Sequence, residues 1–254
     1  IKFEKESKKI KLDSRSKYLR QLVLKCLFGG DRGHMGSAMS LIEILRVLYD
    51  KVLKYNPRQP LFGNRDRLIL SKGHGCLALY AILSDKGFFS KKILKSSSRF
   101  ESILGGHPEF DKVPGVEAST GALGHGSPIG LGIALGAKLE KKKFHTYVIV
   151  GDGEINEGSF WEASMIASKH KLSNYHIIID YNKIQSYGQT KDVMQLEPLV
   201  GKACSPISTF MYLALPKLNS RGLPSGMLNG DGPWSFLLAS LRFLTRYSPL
   251  PVEY

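Results

Sequence analysis

The chain has 254 residues, of which 43% are hydrophobic and 23% charged, which is enough for one large domain with its own core. No apolar run is long enough to span a membrane, and the charged N-terminal stretch does not read as a signal peptide. The net charge is +14, but the lysine runs lack interleaved aromatic residues. This favours a solvated surface, with some steering of anionic substrates, over specific nucleic-acid binding.

Cysteine usage indicates the compartment. Cys26, Cys76 and Cys204 are scattered without metal-ligand spacing. Free or buried thiols of this kind are typical of a reducing environment. The sequence therefore predicts a cytoplasmic protein with no membrane partner.

The N-terminal part predicts two helices joined by a histidine loop. Apolar residues at helical spacing predict a helix over residues 10–28, stopped by Gly29-Gly30. A second helix is expected over residues 40–53, capped by Ser37 or Ser40. Between them, His34 lies in a Gly-His-Met-Gly-Ser loop. Such a histidine is well placed to reach a ligand, and a plain surface histidine fits the pattern equally well.

A strand, a second histidine turn and a helix follow. Arg67–Leu70 predicts a short strand, residues 76–84 predict a helix, and Ser-Lys-Gly-His-Gly at 71–75 joins them. His74 would then lie where a strand ends and a helix begins. Helix amides and an imidazole at that position could hold a phosphate.

Two more glycine loops precede the middle of the chain. Residues 91–104 look helical with a polar interruption, and His107 follows in Gly-Gly-His-Pro-Glu at 105–109. A glycine-rich loop at 119–127 then leads into a slim helix over 128–139. Its small residues favour close packing against another backbone, and a dimer interface is one candidate.

The stretch from 147 to 182 predicts a strand, a turn, a helix starting near Glu157 and a second strand. Gly151-Asp152-Gly153 ends the first strand, and Asn182 follows the second. Because the carboxyl ends of parallel strands share one edge of a sheet, these groups should converge there. The Asp152 carboxylate, the Asn182 amide oxygen and the Ile184 carbonyl are hard ligands that suit magnesium or calcium beside a diphosphate.

These motifs together resemble the transketolase family. The segments GDGEINEGSFWEA and DYNKIQSYGQT are similar to the family's thiamine diphosphate fingerprint. The segments GHMGS, SKGHG, GGHPE and STGALGHG also occur in the same order as in the family. The similarity is greatest to the separate N-terminal subunit of transketolases split over two chains. It implies an α/β, doubly wound fold of the diphosphate-binding type, with a mostly parallel sheet and helices on both faces.

The resemblance implies a role for each matched residue. Asp152, Asn182 and the Ile184 carbonyl would hold Mg²⁺, or Ca²⁺ or Mn²⁺, for thiamine diphosphate. The residues implied to touch or line the cofactor are His74, Gly121, Leu123, Gly153 and Asn182. His34, His74 and His107 would face the sugar, binding hydroxyls or shuttling protons, and Glu157 would lie near the partner's catalytic glutamate.

The implied reaction is transfer of a two-carbon ketol unit between sugar phosphates, as in the pentose phosphate pathway. The family's pyrimidine-binding domain has no room in this chain, so a C-terminal subunit would have to supply it, in a dimeric or heterotetrameric assembly. We therefore expect no turnover by this chain alone. A deoxyxylulose-phosphate synthase or an acyl-transferring dehydrogenase component would share the fingerprint, but the histidine loops favour the ketol transferase.

The resemblance covers roughly residues 10–202 and ends abruptly there, so we expect one thiamine diphosphate-binding domain over residues 1–202. Residues 203–254 form an atypical tail, either divergent or read in a shifted frame, and the abruptness favours the second explanation. We expect a turn at 230–232, an apolar helix at 234–247 and a sheet without its last strand. The tail also keeps open a second function, a non-catalytic remnant that binds a partner without turnover.

Overall fold

The computed structural model describes residues 12–197 and Leu199, together with the backbone of residues 211–214. The strands are β1 (Arg67–Leu70), β2 (Thr146–Gly151), β3 (Tyr175–Asp180), β4 (Ile184–Gln185), β5 (Gly188–Gln189) and β6 (Met211–Ala214). The main sheet is parallel, with strand order β1-β2-β3-β6. A short antiparallel hairpin, β4 with β5, follows β3.

Helices cover both faces of the main sheet. They are α1 (Ser14–Gly30), α2 (Met35–Ser40), α3 (Ile42–Val47), α4 (Cys76–Lys86), α5 (Gly126–Leu139), α6 (Gly158–Lys169) and α7 (Thr190–Val193). A π-helical turn spans Leu48–Val52, and short 3₁₀ helices span Gly73–Gly75, Lys91–Ser96 and Glu154–Asn156.

Alternation along the strands divides the core in two. Leu68 and Ile149 point to the face covered by α1 to α4, whereas Ile69 and Val148 point to the face covered by α5 and α6. Strands that are buried on both faces read as continuous apolar runs because each neighbouring residue meets a different helix layer. The doubly wound arrangement predicted from the sequence is therefore the one observed.

The prediction that Gly29-Gly30 stops the first helix is wrong. Helix α1 runs through Gly30, and Asp31 ends it in the left-handed region at φ 52°. A Cβ on either glycine would collide with the backbone at Lys95 or Ser97. The two glycines therefore serve close packing of the 91–97 segment against the helix rather than termination.

Two other helix predictions also need correction. Residues 40–53 do not form one helix: α2 ends at Ser40, α3 follows, and the π-helical turn completes the segment. Neither Ser37 nor Ser40 caps a helix N-terminus, because both lie within α2 and the N-cap residues of α2 and α3 are His34 and Leu41. The Ser40 hydroxyl instead lies within hydrogen-bond distance of the Ser37 carbonyl and of Asp180. In the 91–104 segment only Lys91–Ser96 is helical, as a 3₁₀ turn.

The tail contributes a strand, contrary to expectation. The backbone of β6 pairs in parallel with β3, with Met211 opposite Ile177 and Ala214 opposite Asp180. The sheet therefore extends beyond β3. The predicted turn at 230–232 and helix at 234–247 lie outside the described residues, and the domain boundary at 202 stays a prediction.

Candidate active site

Parallel pairing brings the predicted polar groups to one edge of the sheet. Leu70 pairs with Ile149, and Gly151 pairs with Asp180. The segments that leave β1, β2 and β3 at 71–75, 151–153 and 180–182 therefore lie side by side. We call this the carboxyl edge, and it is where open α/β sheets bind ligands.

Asp152 is one of the buried carboxylates of this edge, with 2% of its surface exposed. It accepts hydrogen bonds from the amides of Gly153 (2.9 Å) and Lys183 (2.6 Å) and from the Thr190 hydroxyl (3.1 Å). Burial, together with the nearby Asp180 charge, raises the pKa of Asp152 to about 6. An ionised carboxylate held there is stabilised by a cation.

The other two predicted ligands, Asn182 and Ile184, flank a residue that bonds to Asp152. The Asn182 amide oxygen accepts from the Ile184 amide at 2.9 Å, and Asp152 is bound to the Lys183 amide between them. Three donors occupy roughly three of the four lone-pair positions of a carboxylate, so Asp152 keeps one free, and the Asn182 oxygen keeps another.

The donor chemistry therefore fits a hard divalent cation. Within the described part of the chain no group of three His, Cys, Asp or Glu side chains could hold a metal, so such a site depends on the amide and carbonyl oxygens as well.

The predicted histidines meet at the same edge. The rings of His34 and His74 lie edge to face, with their centroids 5.5 Å apart. His34 and His107 are exposed and His74 is half-buried. Burial, with the charges of Lys72, His34 and His107, lowers the pKa of His74 to about 4. At neutral pH His74 is therefore an uncharged imidazole, with one donor and one acceptor nitrogen.

The turn that carries His74 is closed by its own backbone. The Gly73 amide donates to the Ser71 carbonyl at 2.8 Å, and the Gly75 amide donates to the Lys72 carbonyl at 2.9 Å. The helix amides expected to hold a phosphate at this turn are thus already paired at these two positions. The contribution of the turn to a ligand is mainly the imidazole.

The glycine-rich loop packs closely against these groups. Gly121 has φ +153°, and a Cβ there would lie 3.0 Å from the His107 ring. Gly124 has φ +80°, and its Cβ would lie 2.6 Å from the Cβ of Glu157. Both positions therefore need glycine for conformation and for space. Leu123, between them, is 38% exposed and open to a ligand.

Glu157 lies at the N-terminus of α6, as predicted. It is the N-cap residue, but its side chain makes no capping bond, and it is exposed. The carboxylate is therefore available to a partner rather than used within the helix.

Sequence reasoning missed a buried polar network under the site. The Glu154 carboxylate accepts from the Ser71 hydroxyl and from the amides of Gly124 and Gly151, both at 2.9 Å. The Lys72 ammonium lies 2.8 Å from Asp180. The sequence signal that could have revealed this network is Asp180, a charged residue at the end of the buried apolar strand β3, because a buried charge needs a partner.

Comparison with known proteins gives the family. A model described as the transketolase thiamine diphosphate binding domain matches residues 13–198. The chain belongs to the transketolase family. The resemblance drawn from the histidine loops and the GDG motif is thereby confirmed.

Several relatives are named as transketolase subunits. One of the apulose-4-phosphate transketolase subunits from Phocaeicola vulgatus is 42% identical over 188 residues, covering 74% of this chain and 66% of the relative. The corresponding protein from Actinobacillus succinogenes is 45% identical, covering 66% and 60%. The 6-deoxy-6-sulfo-D-fructose transketolase subunit SqwG from a Clostridium species is 38% identical, covering 76% and 70%.

Solved transketolases share the fold but are much longer. The enzyme from Leishmania mexicana superposes with a TM-score of 0.77 at 30% identity, covering 90% of this chain and 36% of that one. The Pichia stipitis enzyme in complex with sedoheptulose 7-phosphate gives 0.74 at 31%, covering 79% and 31%. The chain thus spans about a third of these transketolases.

Among the described residues, no helix has the length and apolar character of a membrane span.

Proposed function

We propose that this chain is the N-terminal, diphosphate-binding subunit of a two-chain transketolase that uses thiamine diphosphate. It transfers a two-carbon ketol unit between sugar phosphates, and it needs a separate C-terminal, pyrimidine-binding subunit. The observation that carries the proposal is the carboxyl edge itself, where a buried Asp152 with free coordinating capacity lies with the His34–His74 pair. The relatives named as transketolase subunits support the division into two chains.

The cation would be Mg²⁺, with Ca²⁺ or Mn²⁺ as substitutes. Asp152, Asn182 and the Ile184 carbonyl would hold it, because they supply hard oxygens on the segments that follow β2 and β3. Gly153 and His74 would contact the diphosphate, and Gly121 and Leu123 would line the rest of the cofactor. Thiamine diphosphate, when bound, supplies the carbanion chemistry, and the protein supplies orientation and electrostatics.

The histidines act on the sugar. His34 and His107 are exposed, so they can bind hydroxyl groups directly. His74, neutral at pH 7, can donate to a hydroxyl or phosphate oxygen from one ring nitrogen and accept a proton at the other. Hydrogen bonding by these rings would orient the substrate and hold or move its hydroxyl protons.

The assembly would form around Glu157. Its exposed carboxylate fits the proposed contact with the catalytic glutamate of the C-terminal subunit. Two copies of each chain, in a heterotetramer, would complete two sites. We place this enzyme in the cytoplasm and in pentose phosphate metabolism.

The names of the relatives narrow the substrate class. One acts on a sugar phosphate and another on a sulfonated sugar. Both substrates carry a terminal anion on a sugar chain. We therefore propose a ketose with an anionic end as the donor, with sugar phosphates as the primary candidates.

The test is reconstitution. The chain is mixed with its cognate C-terminal subunit, thiamine diphosphate and Mg²⁺, and ketol transfer is measured with xylulose 5-phosphate, apulose 4-phosphate and 6-deoxy-6-sulfofructose as donors. We expect turnover only when both chains are present. Turnover by this chain alone would refute the two-subunit proposal. A mixed complex that forms but neither binds cofactor nor turns over would identify a partner-binding remnant instead.

A further inference from the structure

Two consecutive residues after β1 hold the floor of the site together. Ser71 donates its hydroxyl to Glu154 on the segment after β2. The Lys72 side chain reaches further across the sheet, to Asp180 at the end of β3. His74 projects from the same turn two residues later. The position of the imidazole therefore depends on where these two side chains are anchored.

Lys72 connects all three strand ends. Its aliphatic chain passes over Gly151, whose Cβ, if present, would lie 3.7 Å from the Lys72 Cδ. Its ammonium lies 2.8 Å from the Asp180 Oδ2 and 3.5 Å from the Ser40 hydroxyl. The ion pair is sequestered, with side-chain exposures of 3% and 0%. A charge pair at this depth is stable only with good geometry and extra hydrogen bonds, and Ser40 supplies one of them to Asp180.

We propose that Lys72 is a positioning residue of the cation and diphosphate site, whose ion pair with Asp180 sets the His74 turn and the Asn182 turn on either side of Asp152. This rests on the proposed function. The Lys72 ammonium is engaged by Asp180 and Ser40, so it acts through the backbone that it anchors. Asp180 precedes Asn182 by two residues, and Lys72 precedes His74 by two. Release of the pair would let the two turns move apart and enlarge the distance between the proposed cation and diphosphate groups.

The chain offers a matched control at the other end of the same strand. Arg65, just before β1, pairs with Glu117 through two nitrogens, at 2.8 Å and 2.7 Å. This pair is also buried, with side-chain exposures of 10% and 9%. It lies at the opposite edge of the sheet from the site. Arg65→Met therefore breaks a buried ion pair on the same strand without touching the turns that carry the proposed ligands.

The experiment compares four full-length chains in complex with the C-terminal subunit: wild type, Lys72→Met, Lys72→Met/Asp180→Asn and Arg65→Met. Melting temperature without cofactor reports stability. Mn²⁺ titration followed by electron paramagnetic resonance, with thiamine diphosphate present, reports cation affinity. We expect both single variants to melt at lower temperature: Lys72→Met leaves Asp180 without a cation, and Arg65→Met leaves Glu117 with only the longer contact to Arg67, at 3.5 Å. Only Lys72→Met should also lose cation affinity, by roughly 10- to 100-fold, as for other groups that orient ligands.

The double variant separates positioning from stability. It removes both charges, so it should fold and regain most of the melting temperature, yet it should keep the weakened Mn²⁺ affinity because nothing spans the three strand ends. At saturating Mg²⁺ and cofactor the kcat of the double variant should lie within about threefold of wild type, while its half-saturating cofactor concentration stays high. Full recovery of affinity together with stability would overturn the proposal, as would equal affinity losses in Lys72→Met and Arg65→Met. Failure of the wild-type complex to bind Mn²⁺ at all would instead refute the proposed function.

Discussion

The two edges of the parallel sheet differ in how much charge they expose. The carboxyl edge buries Asp152 and the Lys72–Asp180 pair. The opposite end, which we call the amino edge, also buries an ion pair, Arg65–Glu117, but in addition carries exposed lysines on the turns that follow α5 and α6. Lys138 joins these turns by donating to the His170 carbonyl at 2.6 Å.

The comparison locates one of the lysine runs that contribute to the net positive charge. The run at residues 141–143 lies just before β2, at the amino edge and away from the proposed ligands. Lysines at helix C-termini are stabilised by the helix dipole and by water. This run is therefore poorly placed to steer an anionic sugar into the site, whatever its effect on solubility. At the carboxyl edge the charged side chains are buried, and electrostatic interactions between buried groups are stronger than in water.

The largest expected effect comes from removing the Asp152 carboxylate at the carboxyl edge. Asp152→Ala should abolish Mg²⁺-dependent binding of thiamine diphosphate, because the proposed cation loses its anionic ligand. Calorimetric titration of the complex with cofactor, with and without Mg²⁺, measures this. Lys142→Ala at the amino edge is the control and should bind as wild type does. Unchanged binding by Asp152→Ala would place the cation elsewhere.

A second prediction concerns packing under the sheet. A Cβ on Gly130 would lie less than 3 Å from the Val148 side chain, whereas one on Gly132 meets nothing within 4 Å. Gly130→Ala should therefore destabilise the chain by about 1–3 kcal/mol through overpacking. Gly132→Ala should stabilise it by up to about 1 kcal/mol through helix propensity.

Urea denaturation of the chain alone measures both changes. Equal effects at the two positions would mean that α5 does not lie against β2 as described.

The amino edge should show its own acid sensitivity. The His145 Nδ1 and His176 Nε2 lie 2.8 Å apart, and burial, with the His145 charge, lowers the pKa of His176 from 6.5 to about 3. The folded state thus binds fewer protons than the unfolded state between these values. Stability should fall as the pH drops below about 6.5, by up to about 1.4 kcal/mol per pH unit for this group.

Replacement of the buried ring tests this. His176→Phe should flatten the decline in urea-unfolding free energy between pH 7 and pH 5, while His125→Gln, an exposed histidine, should leave the slope as it is. An unchanged slope in His176→Phe would assign the acid sensitivity to other groups, such as His74.

The smallest effect is expected from the lysines themselves. Reversal of residues 141–143 to glutamate should change the apparent affinity for a sugar phosphate by less than about twofold at physiological salt, since exposed charges beyond a Debye length are screened. Steady-state kinetics of the reconstituted complex at low and high salt would measure it. A large, salt-sensitive rise in KM would show that this run does steer the substrate.

Local patterns carried much of the prediction. The strand and helix of the His74 turn and the βαβ unit around Asp152 were predicted with ends within a few residues, because alternation, glycine turns and helical periodicity depend on near neighbours. The prediction failed where a distant segment decided the outcome. Gly29 and Gly30 are explained by the carbonyls of residues 95 and 97, which their own helix does not reveal.

The sequence by itself determined the identity of the family, the order of the histidine loops and the placement of Asp152 at a strand end. Only the tertiary structure decided which charges meet. Lys72 and Asp180 are 108 residues apart, and Ser71 and Glu154 are 83 apart. Such pairs follow from strand order, with β2 between β1 and β3. Side chains that leave the parallel strands at one edge come together whatever their separation along the chain, and Lys72 is long enough to cross the end of β2. This is why the network beneath the site could not be seen in the sequence.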